Sequence, residues 1–375
     1  MTSWQTKTIG ELVDYEQPSK YLVKDTNYIE DGAPVLTANK AFVLGYTHET
    51  EGIYVASKDS PVIIFDDFTT DNKFVDFDFK VKSSAIKILT AKHGKALPRF
   101  VHGAMQLIKT EITEHKRRFI SEYQFHPIDT PEIVEQQRIV GVLEVWDEYI
   151  EKLEQKIALK EQLKKGLMQQ LLTGKRRLPG FKKDWQAVKL GNISRIKTGG
   201  KDNQNKIADG MYPFFVRSPQ IERINSYCFD GEAILVPGEG NIGKIFHYIN
   251  GKFDYHQRVY GITHFADNVS GRYIYYFFVK NFARQAEKHS VKATVDSLRL
   301  PTFSNFIINL PSLDEQVAIV KVLDGLAEEV RLSEKKLKKI NDQKKYLLKN
   351  LITGTIRTPD DLQPLDSSRL ERSAL

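Results

Sequence analysis

The chain has 375 residues, 41% hydrophobic and 11% aromatic, enough for two ordinary domains with cores of their own and too apolar for a disordered chain. Its single cysteine, Cys228, excludes an internal disulfide and a cysteine-based zinc site and fits a reducing cytoplasm. The 55 basic and 48 acidic residues leave a charge of +7; residues 151–183 and residues 331–357 each carry a net +7, so the remainder sums to −7.

In chain order, Pro61 to Phe65 and Val81 to Leu89 read as strands, and Phe100 to Leu107 as a helix. A long helix is predicted from just after Pro131 to a left-handed glycine cap at Gly174. Glu132 and Glu135 in its first turn suit the positive end of the helix dipole. Lys175 to Asp184, with Pro179-Gly180, is a linker. Beyond it, Ala233 to Val236 and Lys244 to Ile249 read as strands, and Asn250-Gly251 before Lys252 to Tyr255 as a hairpin turn. Gly271 to Phe278 reads as a helix. A second long helix follows Pro311, with Asp314 and Glu315 in its first turn, and ends at Gly354. Thr358 to Leu375 is polar and uncapped, the pattern of a disordered tail. No apolar run approaches the ~18–20 residues of a membrane span, and no signal-peptide core follows Met1, so a soluble intracellular protein is expected.

The two long helices are copies of one segment. Glu135-Gln136-Gln137-Arg138-Ile139-Val140 answers Glu315-Gln316-Val317-Ala318-Ile319-Val320, and Leu171-Leu172-Thr173-Gly174 answers Leu351-Ile352-Thr353-Gly354, both at an offset of 180 without a gap. Ahead of each lies a more divergent region, in which Ile9-Gly10-Glu11-Leu12 answers Leu190-Gly191-Asn192-Ile193 and Pro34-Val35-Leu36 answers Pro213-Phe214-Phe215. Each helix of about 43 residues would be roughly 60 Å long.

Along both, apolar residues alternate in steps of four and three, the coiled-coil period. The first seam is Ile139, Leu143, Trp146, Ile150, Leu153, Ile157, Leu167 and Leu171, interrupted by Lys160 and Lys164. The second is Ile319, Leu323, Leu326, Val330, Leu337, Ile340, Leu347 and Leu351, interrupted by Ser333 and Lys344. Two equivalent helices in one chain pair most simply about a pseudo-twofold axis, hence antiparallel, with the variable regions at opposite ends of a rod. The expected fold is mixed α/β (α+β): two globular domains and an antiparallel coiled coil in a pseudo-twofold repeat. Whether the seam lysines meet acidic partners is open. The basic blocks fit a polyanionic or acidic partner, or equally two solvated lysine-rich faces.

Catalytic signatures are missing. Gly238-Glu239-Gly240-Asn241-Ile242-Gly243 satisfies GxGxxG, but a strand pattern follows where a dinucleotide fold needs a helix, so it reads as a flexible loop between strands. No Gly-Lys pair precedes Ser or Thr, which removes a Walker loop. The nine histidines include no HExxH, and Asp66-Asp67 has no accompanying cluster that would make it a metal or nuclease centre. No Asn-Pro-Pro-Tyr or Asp-Pro-Pro-Tyr segment of an adenine methyltransferase occurs.

Two variable regions alternating with two long helices, each opening in Pro-x-x-x-Glu-Gln (Pro131, Glu135, Gln136; Pro311, Glu315, Gln316) and closing in Thr-Gly (173–174; 353–354), resembles the specificity subunit of type I restriction-modification systems. Leu178-Pro179-Gly180-Phe181 is similar to that family's link into its second half, and the likeness covers Met1 to Arg357. The resemblance implies a non-catalytic reader of double-stranded DNA, in which residues 1–130 and 178–310 are target recognition domains, each reading one half of a bipartite site. Residues 131–177 and 311–357 would be the helices that space the half-sites and dock two methyltransferase subunits, leaving 358–375 as the tail. Restriction subunits would join that core. No cofactor is expected in this chain, since S-adenosylmethionine, ATP and magnesium belong to the partner subunits.

Base reading calls for Arg or Lys to guanine, Asn or Gln to adenine and Asp or Glu to cytosine. Loop candidates in the first region are Asn39, Lys40, Asp67, Thr69, Thr70 and Lys73; in the second they are Lys197, Arg217, Ser218, Asn241, Lys244, Gln257 and Arg258. The alternative is a coiled-coil scaffold whose end domains bind protein or glycan, for which Tyr46, Tyr54 and Tyr227 would serve. If the helices act as a ruler, four residues inserted after Leu172 add about 6 Å. The recognised gap is then expected to grow by close to two base pairs, at about 3.4 Å each, while both half-sites stay the same; methylation mapping of the insertion variant measures this.

Overall fold

The computed structural model describes residues 4–39, 41–111, 114, 116–289 and 297–363. In chain order the first half contains β1 (Gln5–Thr8), α1 (Ile9–Leu12), β2 (Val13–Glu16), β3 (Ala33–Leu36), β4 (Val43–Thr47) and β5 (Val62–Asp66). It continues with β6 (Asn72–Val75), β7 (Lys80–Val81), β8 (Ile86–Ala91), α2 (Pro98–Met105), β9 (Pro127–Thr130) and the long α3 (Ile133–Leu171). The second half contains β10 (Gln186–Lys189), α4 (Leu190–Ile193), β11 (Arg195–Thr198), β12 (Tyr212–Phe215), β13 (Ile221–Ile224) and β14 (Phe229–Pro237). Then come β15 (His247–Tyr255), β16 (Val259–Thr263), α5 (Gly271–His289), α6 (Leu300–Ser304), β17 (Ile307–Leu310) and the long α7 (Leu313–Ile352). The chain divides into two units, residues 1–153 with 336–375, and residues 154–335.

The two units share one connectivity. In the second the strand order is β11-β16-β14-β15-β12-β13; in the first it is β2-β8-β5-β6, with β4-β3-β7 as a separate sheet. Replacing β15 by the pair β6 and β7 makes the orders identical. A parallel strand pairing recurs as well: Val35 and Leu36 face Lys80 and Val81, and Phe214 and Phe215 face Asp254 and Tyr255. A short antiparallel pair, β1 with β9 and β10 with β17, precedes each long helix.

Strand β5 is buried along its whole length, which explains its unbroken apolar run. Ile63 and Phe65 face Phe100, Val101 and Met105 of α2, and Val62 and Ile64 face Leu36, Phe79 and Ile88. In the second unit Ile234 and Val236 of β14 pack toward α5, beside Tyr273, Ile274, Phe278 and Phe282, while Ala233 and Leu235 face Phe215 and Phe253. Three local expectations fail. Asn250-Gly251 does not reverse the chain: it lies inside β15, where Gly251 faces Gly231 of β14. Both have φ near +144°, at +144° and +143°, so the pair supports a mid-strand irregularity that other residues resist. The strand expected from Lys244 begins only at His247. Residues Ile242–Lys244 form a turn in which Gly243, at φ +67°, lies close against Ala283 and Ala286. The expected strand Val81 to Leu89 is likewise split into β7 and β8.

Within each unit one half of α3 packs antiparallel to one half of α7. Ile139 and Leu143 meet Leu347, Leu348, Leu351 and Ile352 in the first unit; Met168 and Leu171 meet Ile319 and Leu323 in the second. Every seam position named from the sequence is buried or half-buried. Two interrupting lysines find acidic partners, Lys344 on Asp147 and Lys160 on Glu329 at 2.6 Å.

The repeated Glu-Gln is a joint between domain and helix. Glu315 accepts from Arg177 Nε and Nη2 at 2.5 and 2.7 Å and from Trp185 Nε1 at 3.2 Å. Glu135 accepts from Arg357 Nε and Nη2 at 2.6 and 2.7 Å and from Trp4 Nε1 at 3.1 Å. Gln136 accepts the Leu97 N–H at 2.9 Å at the start of α2, and Gln316 accepts the Ser270 N–H at 2.9 Å at the start of α5. The two tryptophans also lie over Gly174 and Gly354, which cap the helices with φ +70° and +68°. Residues beyond α7 hold to this joint: Arg138 donates to Asp360 Oδ1 and its carbonyl at 3.1 and 2.6 Å. Of the expected tail, residues 364–375 lie outside the described residues.

Candidate nucleic-acid interface

In the second unit four loops converge: residues 199–206 after β11, 216–220 after β12, 238–246 after β14, and the 256–258 turn between β15 and β16. Backbone pairing fixes them, since the His256 N–H donates to the Phe215 carbonyl at 2.9 Å, Gln257 N–H to Lys201 at 2.8 Å and Gly238 N–H to Arg258 at 2.9 Å. Gly199 is required there, because a Cβ would stand 1.9 Å from the Tyr255 carbonyl oxygen. Buried His256 accepts the Arg258 N–H on Nδ1 at 2.9 Å, with Nε2 3.5 Å from Asp202. Burial, followed by the charge of Arg217, lowers its pKa and keeps the ring neutral, which that accepting nitrogen requires.

Arg217, Ser218 and Asn241 line a groove of about 360 Å³ with Asn203, Lys206 and Glu239. Arg258 joins them through Glu239, and Gln257 donates to Asp202 at 2.9 Å. The structure therefore gathers five sequence candidates, Arg217, Ser218, Asn241, Gln257 and Arg258, around one opening. Lys197 on β11 and Lys244 in the 242–244 turn are exposed but do not line it.

In the first unit Asn39, Thr70 and Lys73 line a smaller groove of about 240 Å³ with Asp71 and Gln106. Thr69 joins by donating to Asn39 Oδ1 at 3.3 Å. The turn that carries the threonines is held by Asp66, whose Oδ1 accepts the N–H groups of Phe68 and Thr69 at 2.9 Å each, with Thr70 at φ +60°. Asp67 is a correction. Its carboxylate is buried, 3.2 Å from the Lys87 ammonium, and accepts the N–H groups of Arg118 and Phe119 at 3.1 and 2.8 Å. Such a group is committed to the core and is closed to a base edge. Lys40 lies outside the described residues.

Equivalence between the units reveals residues that sequence reading missed. The Lys82 N–H donates to the Leu36 carbonyl at 3.1 Å as His256 does to Phe215, so Lys82, Ser83 and Ser84 occupy the place of the 256–258 turn. The Arg118 N–H donates to the Asp67 carbonyl at 2.9 Å as Leu298 does to Gly238 at 2.7 Å. This brings Lys116 and Arg117 beside the threonine turn, with the Arg117 guanidinium 5.9 Å from the Phe68 ring. The run Lys116-Arg117-Arg118 was a visible signal; its neighbours, fifty residues upstream, were not.

Side chains in these loops offer fork donors, amides and hydroxyls, and no cluster of potential metal ligands occurs among the described residues. The arrangement suits hydrogen-bond recognition and recurs in both units, which defines a duplicated recognition protein built on a helix pair. Residues 182–342 match the type I restriction modification DNA specificity domain. The chain is 33% identical over 385 aligned residues to the type I restriction enzyme EcoR124I/EcoR124II specificity subunit of Escherichia coli, covering 89% of this chain and 92% of that one. It is 22% identical to the MjaVIII specificity subunit of Methanocaldococcus jannaschii, over 94% and 93% of the two chains. In fold it is similar to the S subunit of M. genitalium, with a TM-score of 0.64 at 15% identity over 93% and 96% of the chains. The chain belongs to the specificity subunits of type I restriction-modification systems.

Proposed function

We propose that this chain reads a bipartite DNA sequence for a type I restriction-modification complex, one block by each unit's loop cluster. The observation that carries the reading is the recurrence of one sheet connectivity whose equivalent loops, in both units, gather Arg, Lys, Asn, Gln, Ser and Thr side chains around a groove. Those are the residue types that hydrogen-bond base edges. In this reading the long helices set the gap between half-sites and dock two methyltransferase subunits, to which restriction subunits add. Outward-facing Val145, Tyr149, Leu159 and Leu163 on α3, and Val317, Leu332 and Tyr346 on α7, supply apolar area for such docking. Adenine methylation and cleavage, with S-adenosylmethionine, ATP and magnesium, reside in the partner subunits, and the complex works in the cytoplasm.

Co-expression with the cognate methyltransferase subunit, followed by single-molecule mapping of modified adenines, tests the reading. A split motif, two short specific blocks around a fixed gap, is the expected result. No new methylation, from a complex that assembles and is active with another specificity subunit, would refute it. Binding should also depend steeply on salt. With 6–10 phosphate contacts the assembled complex is expected to lose about 10³–10⁵ in affinity between 50 and 200 mM salt. A flat salt response in a titration of labelled duplex would instead favour a protein-binding scaffold.

A further inference from the structure

The groove in the second unit holds an arrangement with no counterpart among the described residues around the first: one carboxylate between two arginines. Glu239 Oε2 lies 3.3 Å from Arg217 Nη1, and its Oε1 lies 3.0 Å from Arg258 Nη1. The carboxylate itself is placed by backbone. Gly238 pairs with Arg258 and with Leu298 at 2.9 and 2.7 Å, and Glu239 bridges to Ser297. Each arginine gives one amine to Glu239, and its remaining guanidinium N–H groups have no side-chain or backbone partner among the described residues. Both arginine side chains are well exposed, at 43% and 59%.

A phosphate is a poor match for this trio. The carboxylate cancels one of the two positive charges and would repel an approaching phosphate oxygen. A base edge is neutral and directional. Guanine alone presents two acceptors, O6 and N7, side by side in the major groove, which matches the free N–H groups of an oriented guanidinium. Adenine and cytosine would each set an amino donor against it.

We infer that the second unit reads guanine through Arg217 and Arg258, and that Glu239 is the positioning residue that aims both forks. This rests on the DNA-reading function proposed above and adds which residues and which base. The test compares methylation motifs of assembled complexes carrying the wild-type chain, R217K, R258K or E239Q. Lysine retains the charge and loses the two-pronged fork. The wild-type motif should contain guanine in one half-site. At least one lysine variant should lose about ten- to a hundredfold of discrimination there, the loss of one bidentate pair. The other half-site, the gap and the salt dependence of binding should stay as they were. E239Q should blur the same position without altering the melting temperature, which a merely structural residue would lower. If the wild-type motif has no guanine in either half, or both lysine variants read every position as sharply as wild type, the inference is wrong while DNA reading stands. If the E239Q motif is as sharp as wild type, Glu239 has no positioning role. A wild-type complex with no split motif would overturn the functional reading itself.

Discussion

Replacing Glu315 with alanine is expected to destabilise the second unit by about 3 kcal/mol, the lower end of the range for removing one partner of a buried ion pair. The Glu315 side chain is 1% exposed, whereas its partner Arg177 is 27% exposed and retains part of its hydration. Truncation would also strip the Trp185 indole N–H of its acceptor and loosen the ring from Gly174 at the end of α3. Because that joint fixes the start of α7 against the chain leaving α3, unfolding by urea should report an earlier transition, with strand order β11 to β16 losing hydrogen-exchange protection. The matching change at Glu135 should act in the same direction and less strongly. Its partner Arg357 is 34% exposed and Glu135 itself 8%. Equal effects from the two variants would mean that hydration of the arginine does not set the cost.

Replacing Asp67 with alanine is expected to damage the first unit by about 3–5 kcal/mol and to leave the base preference of its remaining folded population unchanged. Lys87 and Asp67 are 1% and 2% exposed, so the variant would strand an ammonium in the core. It would also leave the Phe119 backbone N–H without its acceptor, while the Arg118 N–H keeps the Asp67 carbonyl at 2.9 Å. D67N keeps an acceptor for the Phe119 N–H and removes only the charge, so its loss should be smaller. Chemical denaturation of both variants, together with methylation mapping, separates the roles. A stable D67A protein that reads a changed base would restore Asp67 as a contact residue.

The contrast between these carboxylates shows where sequence reading stops. By its type and its place after an apolar strand, Asp67 has the properties of a loop residue that meets a base. Only the pairing of β5 with β8 brings Lys87 beside it, twenty residues away, and only the fold sends the chain back at Arg118 to use its second oxygen. Glu135 and Glu315 stood out as a repeated motif, and their spacing marked helix starts. Their bonds to Trp4 and Arg357, and to Trp185 and Arg177, join positions more than a hundred residues apart, with no local signal. Asn250-Gly251 misled for a related reason. A left-handed glycine is a local requirement, and a turn and a strand irregularity meet it equally well; the register with Gly231 chooses between them.

The amino-acid sequence by itself determined the duplication, the two long helices with their 4-3 seams and glycine caps, and the family. Each of these is a periodic or repeated signal that survives as a pattern along the chain. That the divergent regions share a single connectivity was decided by tertiary structure. Sheet order depends on which distant strands exchange hydrogen bonds, and buried strands accept many apolar sequences. Tertiary structure also decided which polar loop residues face an opening and which are spent inside the core. Arg217 and Asp67 look alike as charged loop residues; burial, set by neighbours far away in the chain, gives one a free fork and the other a buried lysine.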